Sequence, residues 1–384
     1  MKKLLKKRRK FLGAYCIFIT IGLLFVGLWP FDFSPKNKAF WVSNGKGLYF
    51  DGKKRNWKLS VGSIAYLSSL SSSWQIPMAG KGSLTIAIHL QPEEDTNGGV
   101  PHILSLVEKS GKVVLYLGQW KQSLIVRWFS SKQKSSRDLR EISVGKALLK
   151  EKSQWLMIVS NQKETTLYVG DEIEERFPGT SLLTEGSSVR DYKVVLGNSP
   201  EANSPWTGTI LDLALYDRSF DKKKVFELLK GSFLDVNSDL DGLISAFNFE
   251  GEEGARNSDI SGNGNVIVVP KQIISKGKVL EWPDKIFRTN NSIVIDLVVN
   301  VCGFIPFGFL LLLWFKDTKR WNHRYNFLIV ILIGGLISLG IEMSQVYIPA
   351  RDSSLADVLY NTVGTLLGCV GLYLFSIKRI ISSN

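Results

Sequence analysis

The chain has 384 residues and a formal net charge of +13, from 48 lysines and arginines against 35 aspartates and glutamates. Thirteen of the basic residues lie in three short segments beside long apolar runs, where membrane topology and anionic lipid headgroups account for them. The charge therefore gives no ground for a nucleic-acid partner. The three cysteines, Cys16, Cys302 and Cys369, all fall in apolar runs, so the long segment between the first two must fold without disulfides.

Four apolar runs predict transmembrane helices, because a helix of about 20 mainly apolar residues crosses a bilayer. The predicted spans are 11–30, 293–315, 327–346 and 356–377. Lysine and arginine favour the cytoplasmic side, and they concentrate in 1–10, in the loop after the second span and in 378–384. Both termini are therefore predicted to be cytoplasmic, and residues 31–288 extracytoplasmic. The first run could instead be a cleaved signal peptide, but no small-residue cleavage site precedes Trp29, which favours an uncleaved anchor.

The segment between the first two spans has the pattern of an all-β domain. Apolar residues alternate with others from Leu84 to Leu90, which predicts a strand with one buried face. Two further strands, 155–159 and 165–169, flank a polar turn at 161–164 and predict a hairpin. Many short strands with a single predicted helix, at 221–229, indicate a two-sheet sandwich.

Several of these strands resemble concanavalin A-like (laminin-G type) jelly rolls. The similar stretches are 155–160, 167–170, 197–198 and 206–220, followed by 243–265, which resembles the piece that usually opens such domains. The resemblance covers roughly residues 40–280. This fold includes lectins, laminin modules and glucanases alike, so the resemblance does not name an activity. The nearest candidate for a glycosidase carboxylate pair, Asp171 to Glu175, is interpreted as an exposed charged edge, which favours binding over hydrolysis.

No cofactor is evident, and calcium is a weak alternative. Oxygen-bearing residues alternate from Asp235 to Asp241, as they do in a calcium loop. However, Leu240 stands where the loop needs glycine, and Ala246 stands where the bidentate acid belongs. The stretch 259–265 is also rich in oxygen ligands, but its glycines and asparagines are equally typical of a turn.

The spans carry a layer of polar side chains at one level. An acid inside a span is costly, so such residues are candidates for a functional site. Positions four apart share a helix face, so the polar residues of each span are expected to meet inside the bundle. The ligand-pocket candidates are Asp296, Asn300, Glu342, Gln345, Arg351, Asp352, Asp357 and Asn361.

The same residues, in their order and spacing, resemble the VanZ-like family of bacterial membrane proteins. The pattern continues through Phe304, Pro306 and Gly308 and through Gly364 and Gly368, and 29–33 resembles the exit from that family's first helix. The family takes its name from an accessory protein of glycopeptide-antibiotic resistance. The resemblance therefore implies a cytoplasmic-membrane protein with four VanZ-like helices, acting in envelope maintenance or antibiotic resistance. About 250 residues are inserted after the first helix.

Two interpretations of the polar layer remain open. Its members could pair with one another and with Arg351 to hold the helices together, or they could line an outward-facing pocket. The favoured hypothesis is a protein that binds an envelope glycan, glycolipid or glycopeptide through the jelly roll and this pocket. The alternative is an enzyme acting on a lipid-linked envelope precursor, with Glu342 or Asp357 as general base and Arg351 holding a phosphate. No Ser-His-Asp or Cys-His arrangement is evident around the histidines His89, His102 and His323.

Overall fold

The chain divides into two compact units in a computed structural model. The helical unit comprises Met1–Phe33 and Lys276–Asn384, and the sandwich unit comprises Ser34–Ser275. Together they confirm the predicted fold class of four apolar helices and a two-sheet β sandwich. The structure describes residues 2–42, 46–52, 62–69, 76–78, 82–94, 99–129, 139–183, 190–230, 241–249, 259–274, 277, 279–282, 291–318, 323–349 and 351–381.

The described residues form five helices and sixteen strands. The helices are α1 (Lys2–Leu28), α2 (Lys222–Lys230), α3 (Asn291–Thr318), α4 (His323–Gln345) and α5 (Leu355–Ile381). The strands are β1 (Phe40–Trp41), β2 (Leu48–Phe50), β3 (Ala65–Ser69), β4 (Ile76–Met78), β5 (Leu84–Pro92), β6 (His102–Glu108), β7 (Val113–Trp120), β8 (Ser123–Phe129), β9 (Leu139–Val144), β10 (Gln154–Ser160), β11 (Glu164–Val169), β12 (Ile173–Pro178), β13 (Arg190–Leu196), β14 (Gly208–Tyr216), β15 (Leu243–Asn248) and β16 (Asn265–Val268).

The sixteen strands form two antiparallel sheets that pack face to face. In the first sheet the order is β1-β2-β14-β5-β10-β11-β12, with β15 also paired to β14. In the second sheet the order is β16-β3-β13-β6-β7-β8-β9, with β4 also paired to β13. Alternate side chains of each strand point inward, and Leu84, Ile86, Ile88 and Leu90 of β5 are fully buried between the sheets, as their alternation predicts.

Two local predictions for the sandwich are confirmed by its elements. Strands β10 and β11 form the expected hairpin, with Ser160 opposite Thr165. The predicted helix is α2, and it covers part of the outer face of the first sheet by packing Val225 and Leu228 against Ala87 and Tyr216. A second, smaller apolar core therefore lies outside the sheet pair.

Two stretches that were candidates for a carboxylate or calcium site, 171–175 and 259–265, make contacts within the protein. Strand β12 is the edge of the first sheet, and its Glu174 forms ion pairs with Arg176 (2.7 Å) and Lys222 (2.6 Å). Asp259 accepts hydrogen bonds from the backbone N–H groups of Ala246 and Asn265, so its oxygens stabilise a turn. Residues 235–240 of the other calcium candidate lie outside the described residues.

Among its described residues, the helical unit contains four helices that are long and apolar enough to cross a membrane, at Lys6–Leu28, Leu297–Thr318, Tyr325–Gln345 and Leu355–Ser376. Helices α3 and α5 pack with their backbones in contact through glycines. A Cβ atom on Gly364 would lie 2.2 Å from the Val301 carbonyl oxygen, and one on Gly368 would lie 2.2 Å from that of Ile305. Small residues four apart permit this approach, as they do in other membrane helix pairs.

Candidate functional site

A groove of about 340 Å³ lies on the solvent-facing side of the second sheet. Its floor crosses three strands, because Ile125 of β8 lies between Gly118 of β7 and Ser143 of β9 in the strand register. A Cβ on Gly118 would lie 2.5 Å from Val100 Cγ1, so the glycine lets the segment before β6 form one wall. The lining residues are Gly99, Val100, Trp120, Ser123, Ile125, Arg127, Glu141 and Ser143.

An exposed tryptophan stands at one end of the groove. Trp120 is the last residue of β7, and 47% of its surface is accessible to solvent. The next residue, Lys121, has a positive φ of 53° in the turn to β8, and its Nζ lies 4.9 Å from the centre of the indole ring. This cation–π contact holds the ring. The indole therefore offers a flat apolar surface at the groove, which a soluble domain would ordinarily bury.

A charged residue is fixed at the other end of the groove. Arg127 donates from Nη1 to the Tyr116 hydroxyl (2.8 Å) and from Nε to the Glu141 carboxylate on the neighbouring strand. Tyr116 stacks on His102, with ring centres 3.8 Å apart. Burial, together with the Arg127 charge, lowers the pKa of His102 to about 3, so this imidazole is neutral at physiological pH. The two hydrogen bonds of Arg127 therefore hold its guanidinium group in one orientation without a ligand.

The polar layer of the helical unit is assembled around the loop between α4 and α5. Glu342, near the end of α4, is 2% exposed, and its carboxylate accepts a hydrogen bond from the Ser354 N–H (2.8 Å) just before α5 begins. Asp357 and Arg351 both act electrostatically on this carboxylate. The contact satisfies one of the N–H groups that the first turn of a helix leaves unpaired, and it ties α4 to α5.

Two other members of the layer bind the end of α1. Gln345 Nε2 donates to the Gly27 carbonyl (2.8 Å). Arg351 donates from Nε to the Trp29 carbonyl (2.8 Å) and from Nη2 to the Val26 carbonyl (3.1 Å). The last carbonyls of a helix lack partners within the helix, so these side chains complete the hydrogen bonding of α1. This use of Arg351 differs from the phosphate-binding role considered for it.

The remaining candidates differ in their surroundings. Asn361 Nδ2 donates to the Ser338 hydroxyl between α5 and α4 (2.9 Å), and its Oδ1 is buried without a hydrogen bond among the described residues. Asn300 and Asp357 are half-buried, and Asp352 is exposed. Asp296 lies in α3, but its side chain is outside the part of the chain that the structure describes. The observed contacts are the helix-to-helix bonds of the first interpretation, and a ligand pocket here stays a prediction.

A short segment leading from the sandwich sequence toward α3 pairs with the same loop. The Gly277 N–H donates to the Val346 carbonyl (2.8 Å), and the Glu281 N–H donates to that of Ser353 (3.0 Å). The Leu355 N–H donates back to the Glu281 carbonyl (3.1 Å). The loop that carries Arg351 is therefore held on one side by this segment and on another by α1.

The C-terminal region matches a known family. Residues 243–376, about a third of the chain, match the model of the VanZ/LLP1 family. The chain carries a VanZ-like domain at its C-terminus. The matched region holds α3, α4 and α5 with the Glu342 and Asn361 contacts, and it begins within the last part of the sandwich sequence. No curated protein matches the chain.

The sandwich that precedes the VanZ-like helices is similar in fold to several solved structures. A pentraxin from Limulus polyphemus has 14% identity and a TM-score of 0.33, over 58% of this chain and 93% of its own. A putative carbohydrate binding protein from Bacteroides ovatus has 15% identity and a TM-score of 0.34, over 59% and 60%. A Ruminococcus gnavus sialidase CBM40 module has 12% identity and a TM-score of 0.33, over 44% and 93%. Likeness at this level says nothing about a ligand.

Sequence reasoning missed two groups of side chains in the sandwich. The groove could have been predicted in part, because alternation along β7 places Tyr116, Gly118 and Trp120 on the same face of the strand. The second group corrects the expectation that no Ser-His-Asp arrangement exists: Ser153, His89 and Asp212 are joined by hydrogen bonds. They lie far apart in sequence, so only strand pairing brings them together.

Proposed function

We propose that this protein is a membrane-anchored glycan-binding protein of the bacterial cell envelope. The sandwich lies outside the cytoplasmic membrane in this proposal, both termini lie in the cytoplasm, and the ligand is a glycan, glycolipid or glycopeptide. The observation that carries the proposal is the groove on the second sheet, with Trp120 exposed at one end and Arg127 fixed at the other.

The chemistry of the groove suits a sugar. The C–H face of a sugar ring is apolar and packs on an aromatic ring, and Trp120 offers one at the end of a polar surface. Sugar hydroxyls donate and accept, and the groove provides the Ser123 and Ser143 hydroxyls with the Arg127–Glu141 pair. A ligand pocket commonly occupies about 300 to 1,000 Å³, and the groove falls within that range.

The helical unit supports the membrane part of the proposal. Its four apolar helices and its VanZ-like domain indicate a membrane protein. Basic residues favour the cytoplasmic side, and thirteen of them flank the spans on one predicted side, against Arg351 alone in the short loop between α4 and α5. The polar layer around the loop between α4 and α5 is a second candidate site, which would contact the head group of a lipid-linked ligand.

Binding by the full chain in lipid nanodiscs, measured on immobilised peptidoglycan fragments and envelope polysaccharides, tests the proposal. We expect Trp120→Ala to weaken binding about tenfold or more, equivalent to about 1.4 kcal/mol. Arg127→Lys should also weaken binding, since lysine lacks the planar fork. Phe40→Ala is the matched control, because Phe40 is an exposed aromatic residue on the other sheet (53%).

Equal affinities of the Trp120→Ala and Phe40→Ala variants would contradict a glycan site in the groove. Absence of binding by the wild-type chain to every glycan class tested would contradict the proposal as a whole. Thermal unfolding of each variant checks that the sandwich is intact.

A further inference from the structure

Three side chains on the solvent-facing side of the first sheet form a hydrogen-bonded series. Ser153 Oγ lies 2.7 Å from His89 Nε2, and His89 Nδ1 lies 2.8 Å from Asp212 Oδ2. An ionised carboxylate only accepts, so the Nδ1 proton is assigned to the bond with Asp212, and Nε2 accepts from the serine. The serine hydroxyl is thus hydrogen-bonded to an imidazole whose other nitrogen is held by a carboxylate.

A β-bulge places Asp212 in this series. Strand β14 pairs Ile210 with Leu90 and then Asp212 with His89, so one extra residue, Leu211, separates the two pairs. Without the bulge, strict alternation from Ile210 would turn Leu211 outward and Asp212 toward the apolar core between the sheets. Bulges that redirect a side chain in this way are frequent beside active sites.

The surroundings of the series hold two of its members in place. Lys46 Nζ lies 2.8 Å from Asp212 Oδ1 and compensates the charge of a carboxylate whose side chain is 3% exposed. Trp155 of β10 lies opposite His89 and stacks on it, with ring centres 4.8 Å apart and planes at 14°. Ser153, just before β10, is exposed. Solvent exposure therefore increases from the Asp212 carboxylate through His89 to Ser153, and of the three only Ser153 is exposed.

We propose that Ser153, His89 and Asp212 form an acyl-transfer site that hydrolyses carboxylic esters. Ser153 Oγ bonds to the ester carbonyl carbon while its proton passes to His89 Nε2, and the C–O bond to the alcohol then breaks as His89 returns that proton to the leaving oxygen. Water next adds to the acyl-serine and gives a proton to His89. The acid leaves, and the proton returns to Ser153. Asp212 acts through His89 as a positioning residue.

This site is separate from the proposed glycan groove. Ser153, His89 and Asp212 lie on the first sheet, and the groove lies on the second. The inference therefore does not rest on the proposed function, and either could fail without the other.

A fluorophosphonate probe tests the nucleophile, because it forms a P–O bond with an activated serine and releases fluoride. We expect the full chain in detergent micelles to be labelled on the peptide that contains Ser153. Labelling should disappear in Ser153→Ala and fall at least tenfold in His89→Gln. Ser110→Ala, which removes an exposed serine in the turn between β6 and β7, should leave it unchanged. p-Nitrophenyl acetate hydrolysis by the same proteins should follow the labelling.

A second measurement tests whether His89 activates the side chain at position 153 or only forms a hydrogen bond with it. In Ser153→Cys, alkylation of the new thiol should begin at lower pH than in Ser153→Cys with His89→Gln, since an adjacent imidazole favours the thiolate. Adding Asp212→Asn to Ser153→Cys should also shift this pH profile. Among the residues that the structure describes, the charged side chain paired with the series is Lys46, through Asp212. The proposal is overturned if wild-type Ser153 is labelled no faster than Ser110, or if the cysteine profile does not depend on His89.

Discussion

His102 shows how a single buried residue couples the sandwich to pH. The residue is 9% exposed, and its imidazole stacks on Tyr116 and shares a hydrogen bond with the Ser105 hydroxyl at 2.9 Å. Its pKa is about 3 in the folded protein, against about 6.5 for an unperturbed histidine. Between these values the unfolded chain binds a proton that the folded chain does not bind.

The free energy of unfolding should therefore fall as pH drops from 6.5 toward 3, by up to about 1.4 kcal/mol per pH unit from this residue. Replacing His102 with glutamine should remove about 2 to 3 kcal/mol of the difference between pH 6.5 and pH 4.5. Urea unfolding of the full chain in micelles, followed by pulse proteolysis, measures the difference. Parallel pH profiles of wild type and variant would contradict the assigned burial of His102.

Variants at Glu342 test the first interpretation of the polar layer, in which its contacts hold the helices together. Glutamine keeps an oxygen for the Ser354 N–H and removes a charge that is costly near lipid, so we expect Glu342→Gln to unfold within about 1 kcal/mol of wild type. Leucine leaves the N–H unpaired, and Glu342→Leu should lose about 1 to 3 kcal/mol. Thermal unfolding in detergent measures both. Met343→Leu, at the exposed neighbouring position, is the control, and equal damage from both Glu342 variants would indicate that the carboxylate charge itself is needed.

At the scale of elements, the contact of α3 with α5 depends on glycine. A methyl group on Gly364 would lie 2.2 Å from a backbone oxygen, whereas a methyl group on Gly371 of the same helix would have no atom within 4 Å. Alanine ordinarily favours a helix over glycine by about 1 kcal/mol. We expect Gly371→Ala to be neutral or stabilising and Gly364→Ala to cost about 1 to 3 kcal/mol through overpacking.

The same thermal unfolding assay, applied to these two alanine variants, checks the helix contact. A Gly364→Ala variant as stable as Gly371→Ala would show that α3 and α5 are not in backbone contact.

The sequence predicted those helices and strands that have one clear local pattern of residues. The alternation of β5, the β10–β11 hairpin and helix α2 each follow from residues that are neighbours in the chain. The bulge at Leu211 has no such local signal, because an extra residue appears only when β14 is aligned with β5. For the same reason the contact of Asp212 with His89 could not be predicted.

At the scale of the molecule, the sequence predicted more of the fold than of the site. Apolar runs and strand spacing separate the helical unit from the sandwich, and the polar spacing in the spans indicated the VanZ-like region. The partners of Arg351 could not be predicted, since they are backbone carbonyls of α1, and every residue has such a group.

The orientation of the whole chain is tested by reporter fusions. We expect alkaline phosphatase to be active when fused after Phe33 or near residue 285, and inactive when fused after Lys319, because the basic segments should stay in the cytoplasm. A cytoplasmic reporter such as β-galactosidase at the same positions is the control. Phosphatase activity at Lys319 would reverse the orientation, and with it the proposed place of the glycan groove.

The pairing of residues 277–282 with the loop between α4 and α5 has a mechanical consequence. The chain after the sandwich reaches this pairing before it reaches α3, so tension carried by that part of the chain acts first on the Gly277–Val346 and Glu281–Ser353 hydrogen bonds. The same loop is anchored to α1 by Arg351. Tension that enters the helical unit along this part of the chain is therefore passed to the loop before α5, and through Arg351 to the end of α1.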